Sequence, residues 1–271
     1  MSAISQPVFS VITVTYNCAE PLRRTITSLC QQDATLFEHI IVDGASKDDT
    51  VNVIENHAIS ARYPVRFVSE KDAGIYDAMN KGIALSKGKF LLFINAGDLL
   101  MPRILEEILS SLPSNSLSML YGNALMEGKH IYGASFDKSK IAKLNICHQA
   151  IFYGRDVFNE LGKYDLQYRT LADHAFNIKC FADERIQKTY VDRIISEYEA
   201  GGFSAHNIDE AFARNRKSLI KQHLGLHALW VYRIFVWETQ GPRPLRALIG
   251  GTKTGLKIIL RRPRKQRVLK D

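Results

Sequence analysis

The sequence predicts an α/β fold in which helices flank an open, mainly parallel central sheet, followed by a C-terminal helical extension. Short apolar runs recur along the first hundred residues, and each ends in polar residues before a helix-like segment begins. These runs are rich in β-branched residues and lack polar alternation, which is typical of parallel strands covered on both faces. The chain of 271 residues is 46% hydrophobic, enough for a substantial core. We expect an α/β domain over residues 1–205 and a helical extension over 206–271.

The first two strand–helix units occupy residues 8 to about 58. The first apolar run, residues 8–14, is followed by an amphipathic helical stripe with the spacing i, i+4, i+7 and i+8, formed by Leu22, Ile26, Leu29 and Cys30. The second run, residues 39–43, is followed by Asp48 and Asp49, which suit a helix N-terminus. We therefore predict a helix directly after this acidic pair.

The third and fourth units repeat the pattern. Residues 65–69 form an apolar run, and a helix is predicted over 76–87, between two glycines. Residues 90–94 form the fourth run, and Pro102 is well placed to open the next helix. Alternating units of this kind imply right-handed crossovers and an open sheet.

The second half of the chain has a weaker pattern. Residues 118–125, 130–136 and 149–154 are candidate strands that would extend the sheet. After residue 205 the pattern is helical, until the GPRP segment at 241–244 interrupts it.

Polar side chains follow the ends of the four predicted parallel strands. Ligands of open α/β sheets bind beyond the carboxyl ends of the strands, so these side chains define a candidate site. The residues expected at this edge are Tyr16, Asn17, Asp43, Ser46, Asp72 and Asp98.

Asp98 is the first candidate metal ligand, because it follows a buried strand on the turn formed by Asn95, Ala96 and Gly97. A cation such as Mg²⁺ commonly uses one or two carboxylates, with substrate phosphates and water completing its coordination. The alternative is a helix cap, since Asp98 lies shortly before Pro102.

The other acids at this edge also allow two interpretations. Asp43 and Asp72 could accept hydrogen bonds from a nucleobase or a ribose, or they could form turns before a nearby glycine. Asp77, Asn80 and Lys81 lie on or near one face of a predicted helix. There the lysine could meet a phosphate, or the three side chains could form an ordinary solvated face.

Asp173 is the candidate general base, because an acid within an apolar helical segment is costly to bury without a role. His148 and Gln149 precede an apolar run, where a lone histidine is more often structural than functional. A phosphate-binding P-loop is excluded: the segment at 82–90 has the wrong glycine spacing and precedes a strand instead of following one.

Five segments together resemble the family 2 glycosyltransferases of the GT-A fold. They are SVITVTYN (10–17), IIVDGASKDDT (40–50), VSEKDAGIYDAMNKGIALSKGKFLLFINAGD (68–98), LADH (171–174) and GGFS (201–204). The resemblance covers about residues 8–205, and its long third segment is the most specific. The branch looks like the bacterial exopolysaccharide enzymes of the colanic-acid type.

The resemblance implies an inverting transfer of sugar from a UDP- or GDP-linked donor to a saccharide or lipid-linked acceptor in surface polysaccharide synthesis. It implies that Asp98 holds Mg²⁺ or Mn²⁺, that Asp173 is the catalytic base, and that His148 and Gln149 lie near the acceptor. The residues expected to bind the nucleotide sugar are Tyr16, Asn17, Asp43, Asp72, Asp77, Asn80, Lys81 and Asn95.

The metal segment departs from the family pattern in one respect. The family usually has an Asp-x-Asp motif, and here Asn95-Ala96-Gly97-Asp98 lacks its first acid. This departure motivates an alternative hypothesis, a non-catalytic protein of the same fold that binds nucleotide sugars or acts as a scaffold.

The net charge of +8 is concentrated in the tail, because residues 239–271 contain ten basic residues and one acid. A nucleic-acid-binding surface is therefore not expected on the nearly neutral body, and no aromatic stacking pattern accompanies the basic tail. Leucine and isoleucine residues are interleaved with these basic residues. This pattern favours either binding to an anionic membrane surface or a packed C-terminal helical segment with a basic end. With no signal peptide and no 18-residue apolar run, we expect a cytoplasmic protein, peripheral at the inner face of the membrane if the tail binds lipid.

Overall fold

The computed structural model describes residues 6–198, 208–240 and 260–261. Ten strands in these ranges join one sheet. They are β1 (Phe9–Thr15), β2 (Phe37–Asp43), β3 (Val65–Ser69), β4 (Phe90–Phe93), β5 (Leu99–Leu100), β6 (Ser118–Met126), β7 (His130–Tyr132), β8 (Ile151–Gly154), β9 (Gln187–Tyr198) and β10 (Leu260–Arg261).

Helices lie between the strands and form the described part of the C-terminal extension. They are α1 (Ala19–Leu29), α2 (Thr50–Ser60), α3 (Ile75–Leu85), α4 (Ile104–Glu107), α5 (Lys138–Lys143), α6 (Arg155–Leu161), α7 (Ala172–Ala182), α8 (Glu210–Leu219) and α9 (Gly225–Gln240). A π-helical stretch, Ile220–Leu224, joins α8 to α9.

The sheet is mixed. Its main path runs in the order β3-β2-β1-β4-β8-β6-β7-β10, while β9 pairs with β6 and β5. Strands β1 to β4 are parallel, as the sequence rhythm predicts. From β8 onward most pairings are antiparallel, with the exception of β6 and β9, which pair in parallel. The predicted α/β architecture with flanking helices is confirmed.

Strand β1 shows why the parallel runs lack polar alternation. Phe9 and Val11 pack into the hydrophobic core on one side of the sheet. Ile12 and Val14 pack into the core on the other side. Because both faces are covered, an apolar residue suits every position of such a strand.

Two predicted elements are shorter in the structure than the sequence suggests. The helix expected from Pro102 begins only at Ile104, because Arg103 adopts a left-handed conformation with φ of 56°. The strand expected over 130–136 ends at Tyr132. Gly133 follows, and a Cβ added there would lie 2.2 Å from Asn123 Oδ1, so the backbones pack too closely for an ordinary strand residue.

The C-terminal helices pack on the α/β core. Phe212 of α8 and Leu229 of α9 belong to the same buried cluster as Phe176 of α7. The boundary expected near residue 205 falls outside the described residues and stays a prediction. No helix in the described ranges combines the length and apolarity needed to cross a membrane.

A buried histidine pair lies between β2 and α2. His39 Nδ1 is 3.1 Å from His57 Nε2, and His39 Nε2 is 2.9 Å from Thr13 Oγ1. Burial lowers the pKa of His39 well below its ordinary value, helped by the neighbouring charge of His57. Burial also lowers the pKa of His57 to about 4. Both rings therefore stay neutral in the folded protein at pH values where an unfolded chain would protonate them.

This pair predicts that the protein loses stability as the pH falls. The unfolded chain binds protons near pH 6.5, whereas folded His57 binds one only near 4. We expect the free energy of unfolding to fall by on the order of 1 kcal/mol per pH unit for each such histidine below about pH 6.5. Urea unfolding between about pH 7 and pH 5 measures this slope. His57→Gln should flatten it, whereas His130→Gln, at an exposed site, should not. Equal slopes for wild type and His57→Gln would contradict the prediction.

Candidate active site

Asp98 lies in a tight turn after β4. Its carboxylate oxygen Oδ2 accepts hydrogen bonds from the backbone N–H of Asn95, at 3.1 Å, and from Gln149 Nε2, at 2.9 Å. Its backbone carbonyl accepts a bond from Thr25 Oγ1 at 2.9 Å. The alternative of a helix cap is wrong, because α4 begins after Arg103 and Asp98 does not cap it. The turn instead holds a nearly buried carboxylate at the end of a central strand.

Asp173 lies in the first turn of α7 and is 5% exposed. Its Oδ1 accepts hydrogen bonds from the Tyr76 hydroxyl and from the backbone N–H of His174, both at 2.8 Å. Its Oδ2 accepts a bond from Asn145 Nδ2 at 2.8 Å and lies 3.6 Å from His148 Nδ1. The N-terminus of a helix also favours a negative charge at this position.

These partners determine the protonation of Asp173. Burial is the largest influence and by itself raises the pKa of the carboxyl group. The hydrogen bond from His148, the charge of that ring when protonated and the hydrogen bond from Tyr76 oppose it, and the pKa of Asp173 ends below its ordinary value. The carboxylate is therefore ionised at neutral pH.

The segment between α5 and β8 connects the two acids. His148 faces Asp173, and the adjacent Gln149 binds Asp98. His148 Nε2 also lies 3.0 Å from Asn95 Nδ2. Asn145 was missed in the sequence, because a single asparagine before an apolar run carries no signal of its contact with Asp173. The expected role of His148 and Gln149 toward an acceptor stays a prediction.

Oxygen atoms suited to a hard cation are present beside Asp98. The side-chain oxygen of Asn95 is buried and has no hydrogen-bond partner within the described part of the chain. No three histidine, cysteine, aspartate or glutamate side chains come together among these residues, so a cation would need further ligands from the substrate. Mg²⁺ and Mn²⁺ accept this arrangement, because phosphate oxygens and water complete their coordination. Asp98 and Asn95 thus fit a cation that is shared with a diphosphate.

Tyr16 and Asp72 come together at the far end of the same edge. Tyr16 follows β1 and is 58% exposed. A Cβ added to Gly44 would lie 2.7 Å from Asp72 Oδ2 and 3.2 Å from Tyr16 Cδ2, so the absence of a side chain at Gly44 lets the two groups converge. An exposed ring beside a carboxylate can stack on a nucleobase and accept hydrogen bonds from it or from a ribose.

Asp43 is fully buried below this pair. Its carboxylate accepts hydrogen bonds from the backbone and hydroxyl of Ser46 and, at 2.6 Å, from the hydroxyl of Ser69. Asn17 joins the same loop, because its Oδ1 accepts a bond from the backbone N–H of Lys47 at 2.7 Å. The turn-forming interpretation of Asp43 is confirmed, and direct contact of Asp43 or Asn17 with a nucleotide stays a prediction.

The three candidates on α3 hold neighbouring segments. Asn80 exchanges two hydrogen bonds with the backbone of Tyr164, at 2.9 and 3.0 Å. Lys81 Nζ donates to the carbonyl of Lys71 and lies 2.8 Å from Glu70, whose hydrogen bond is the main cause that raises the pKa of Lys81. Asp77 accepts a bond at 3.0 Å from the backbone N–H of residue 73. The contacts of Lys81 and Asp77 fix the loop that carries Asp72, and contact of the trio with a donor stays a prediction.

The fold and the two buried acids, Asp98 and Asp173, define a class of protein. Comparison with known proteins identifies that class. Residues 10–172 match the family model described as glycosyl transferase family 2. The chain belongs to this family and is a glycosyltransferase.

A curated relative, the PGL/p-HBAD biosynthesis glycosyltransferase of Mycobacterium bovis (strain BCG / Pasteur 1173P2), is 36% identical over 219 residues. That alignment covers 78% of this chain and 84% of the relative.

Two solved structures share the fold. S. aureus TarS 1-349 in complex with UDP-GlcNAc has a TM-score of 0.67 at 18% identity, covering 92% of this chain and 76% of that one. The mannosyltransferase PcManGT from Pyrobaculum calidifontis, in complex with GDP-Man and Mn²⁺, has a TM-score of 0.60 at 16% identity, covering 90% and 79%. The expected GT-A fold is confirmed. The GGFS segment at 201–204 lies outside the described residues.

Proposed function

We propose that the protein is an inverting glycosyltransferase that moves a sugar from a nucleoside-diphosphate donor to a hydroxyl group of a saccharide or lipid-linked acceptor in bacterial surface glycan synthesis. The observation that carries the proposal is the pair of buried carboxylates, Asp98 and Asp173, at the carboxyl edge of the sheet. Asp98 supplies a site for a cation, and Asp173 supplies a site for a proton. The relative named as a PGL/p-HBAD biosynthesis glycosyltransferase supports a role in sugar transfer within a biosynthetic pathway.

The donor extends along the edge between two clusters of side chains. Its nucleoside lies at Tyr16 and Asp72, and its diphosphate lies toward Asn95 and Asp98. Mg²⁺ or Mn²⁺ held by Asp98 would neutralise charge on the departing nucleoside diphosphate. The UDP-GlcNAc and GDP-Man complexes of the structural neighbours support a UDP- or GDP-linked donor.

Asp173 accepts the proton of the acceptor hydroxyl while the hydroxyl oxygen attacks the anomeric carbon. The new carbon–oxygen bond forms on one face of the sugar as the bond to the diphosphate breaks on the opposite face, so the configuration inverts. Tyr76 and Asn145 keep the carboxylate ionised and oriented for this transfer. No covalent sugar intermediate is required, and no nucleophile is needed beyond the acceptor.

Asp173→Asn tests the base. The amide keeps the shape of the side chain but cannot take the proton, so we expect kcat to fall by about 10²–10⁴-fold, with little change in the KM of the donor. Sugar transfer from a panel of UDP- and GDP-linked donors to lipid and saccharide acceptors measures the effect. Asp183→Asn, at the other end of α7, is the control and should leave kcat unchanged. Near-normal turnover of folded Asp173→Asn would remove this residue as the base.

The alternative is a non-catalytic nucleotide-sugar-binding or scaffolding protein of the same fold. The metal segment favours it, because Asn95-Ala96-Gly97-Asp98 lacks the first acid of the usual Asp-x-Asp motif. The purified wild-type protein decides between the two: transfer or donor hydrolysis rules out the scaffold, whereas nucleotide binding without turnover supports it.

Asp98→Ala tests the cation site. In the wild type, UDP or GDP together with Mn²⁺ at about 100 times its Kd should stabilise the fold by about 2.7 kcal/mol. The variant should lose the Mn²⁺-dependent part of this gain, because Asp98 is the carboxylate beside the proposed diphosphate position. Thermal unfolding with nucleotide, with and without Mn²⁺, measures it. An unchanged Mn²⁺-dependent shift in Asp98→Ala would remove the metal assignment.

The surface of α9 supports a peripheral position at the inner face of the membrane. Leu226 and Trp230 lie one turn apart and are 70% and 61% exposed. The chain continues into the basic residues of 239–271. Apolar and aromatic groups beside a basic segment suit an anionic lipid surface, where a lipid-linked acceptor would also lie.

Flotation with vesicles that contain phosphatidylserine tests this position at physiological salt. We expect the full-length protein to float with these vesicles and not with neutral ones, because each basic residue near an anionic surface adds about 1 kcal/mol. Combined Leu226→Gln and Trp230→Gln should lower the floating fraction severalfold. Ile59→Gln, at an exposed residue of α2, is the control. Equal recovery with neutral and anionic vesicles would contradict membrane association.

A further inference from the structure

Three side chains between α5 and β8 each direct a nitrogen atom at one of the two buried acids, and we call them the donor bridge: Asn145, His148 and Gln149. We propose that the donor bridge is a positioning device in which Gln149 sets the cation affinity of Asp98, while His148 and Asn145 set the orientation of Asp173. The inference rests on the proposed glycosyl transfer.

Gln149 has a fixed amide orientation. It is 7% exposed, its Nε2 donates to Asp98 Oδ2, and its Oε1 accepts a bond from Cys147 Sγ at 2.9 Å. Burial raises the pKa of the Cys147 thiol, so the thiol remains protonated and keeps donating at neutral pH. Because the oxygen of Gln149 is held by this thiol, its nitrogen must face Asp98.

His148 lies between Asn95 and Asp173. Its Nε2 lies 3.0 Å from Asn95 Nδ2. When Nδ1 carries a proton, that proton faces Asp173 Oδ2, at a distance of 3.6 Å between the nitrogen and the oxygen. His148 thereby connects the turn of Asp98, through Asn95, to the proposed base.

Two further hydrogen bonds fix the orientation of Asn145. Its Oδ1 accepts a bond from Asn177 Nδ2 at 2.9 Å, and its backbone carbonyl accepts a bond from the Tyr132 hydroxyl at 2.6 Å. Its Nδ2 is therefore directed at Asp173. Each donor of the bridge has a second anchor, so the bridge can keep the two carboxylates in a constant relative orientation.

The donor bridge acts through the acids, in the way that outer partners of metal ligands do. Loss of such a partner typically costs about 10- to 100-fold in metal affinity, because the ligand is no longer held in the orientation that binds. Gln149 and His148 are neighbours in sequence but serve different acids. Substitution of Gln149 should therefore mainly change the Kd of Mn²⁺, and substitution of His148 should mainly change kcat.

Gln149→Met removes the donor and keeps the length of the side chain. We expect the Kd of Mn²⁺, measured by electron paramagnetic resonance with UDP or GDP present, to rise by about 10- to 100-fold. Gln149→Glu should shift the Kd in the opposite direction, because a second carboxylate beside Asp98 attracts the cation. Opposite shifts from two substitutions at one site would not arise from a general loss of structure.

His148→Leu should lower kcat at saturating donor and raise the Mn²⁺ Kd by much less than Gln149→Met does, because His148 contacts Asn95 and not Asp98. His148→Asn should recover part of the lost rate, since its amide nitrogen takes a place near that of Nδ1 and can still donate to Asp173. Gln32→Met is the matched control for Gln149→Met: Gln32 is equally buried, and its amide binds the backbone of Met101 and Leu105. Gln32→Met should change neither kcat nor the Mn²⁺ Kd.

The inference is overturned if Gln149→Met and Gln149→Glu both leave the Mn²⁺ Kd unchanged, or if His148→Leu changes that Kd as much as Gln149→Met does. Those results, with a wild type that binds Mn²⁺ and transfers sugar, would refute the donor bridge alone. A wild type that neither binds Mn²⁺ with nucleotide nor transfers sugar would refute the proposed function, and the inference with it.

Discussion

The structure depends on one physical constraint, the burial of two carboxyl groups at the edge of an apolar sheet. An unpaired buried carboxylate is so unfavourable that it would take up a proton or open the structure to water. Asp98 and Asp173 avoid this because donors from four separate segments converge on them. The fold therefore has to bring the β4 turn, α3, α7 and the 145–149 segment to one place.

The sequence predicts this site only in part, and the limit has a physical reason. Strands β1 to β4 follow a local rhythm, and the acids that follow them can be read from it. The partners of the acids come from pairings that are distant in sequence: Tyr76 lies 97 residues from Asp173, and Gln149 lies 51 residues from Asp98. The antiparallel half of the sheet, which positions Asn145 and Gln149, has no such rhythm.

Polar residues near the binding edge also hold backbone segments of the protein itself. Lys81 looks like a phosphate ligand in the sequence, yet its ammonium group is held by Glu70 and the carbonyl of Lys71. Asn80 uses its amide on the backbone of Tyr164. Both side chains hold backbone segments that would otherwise leave polar groups unpaired. The sequence of a helical face with mixed polar residues therefore does not show whether that face contacts solvent, substrate or a neighbouring loop.

Asp209 connects the C-terminal helices to one of these acids, Asp173. One oxygen of this carboxylate caps α8 by accepting a bond from the backbone N–H of Phe212, and the other accepts bonds from the N–H groups of Thr170 and Leu171, just before α7. The carbonyl of Thr170 lies 3.0 Å from the hydroxyl of Tyr76, which donates to Asp173. The helices with the exposed apolar surface are therefore connected to the proposed base by three consecutive contacts. A displacement of α8 relative to α7 would have to break the bonds of Asp209, so the extension and the base are positioned together.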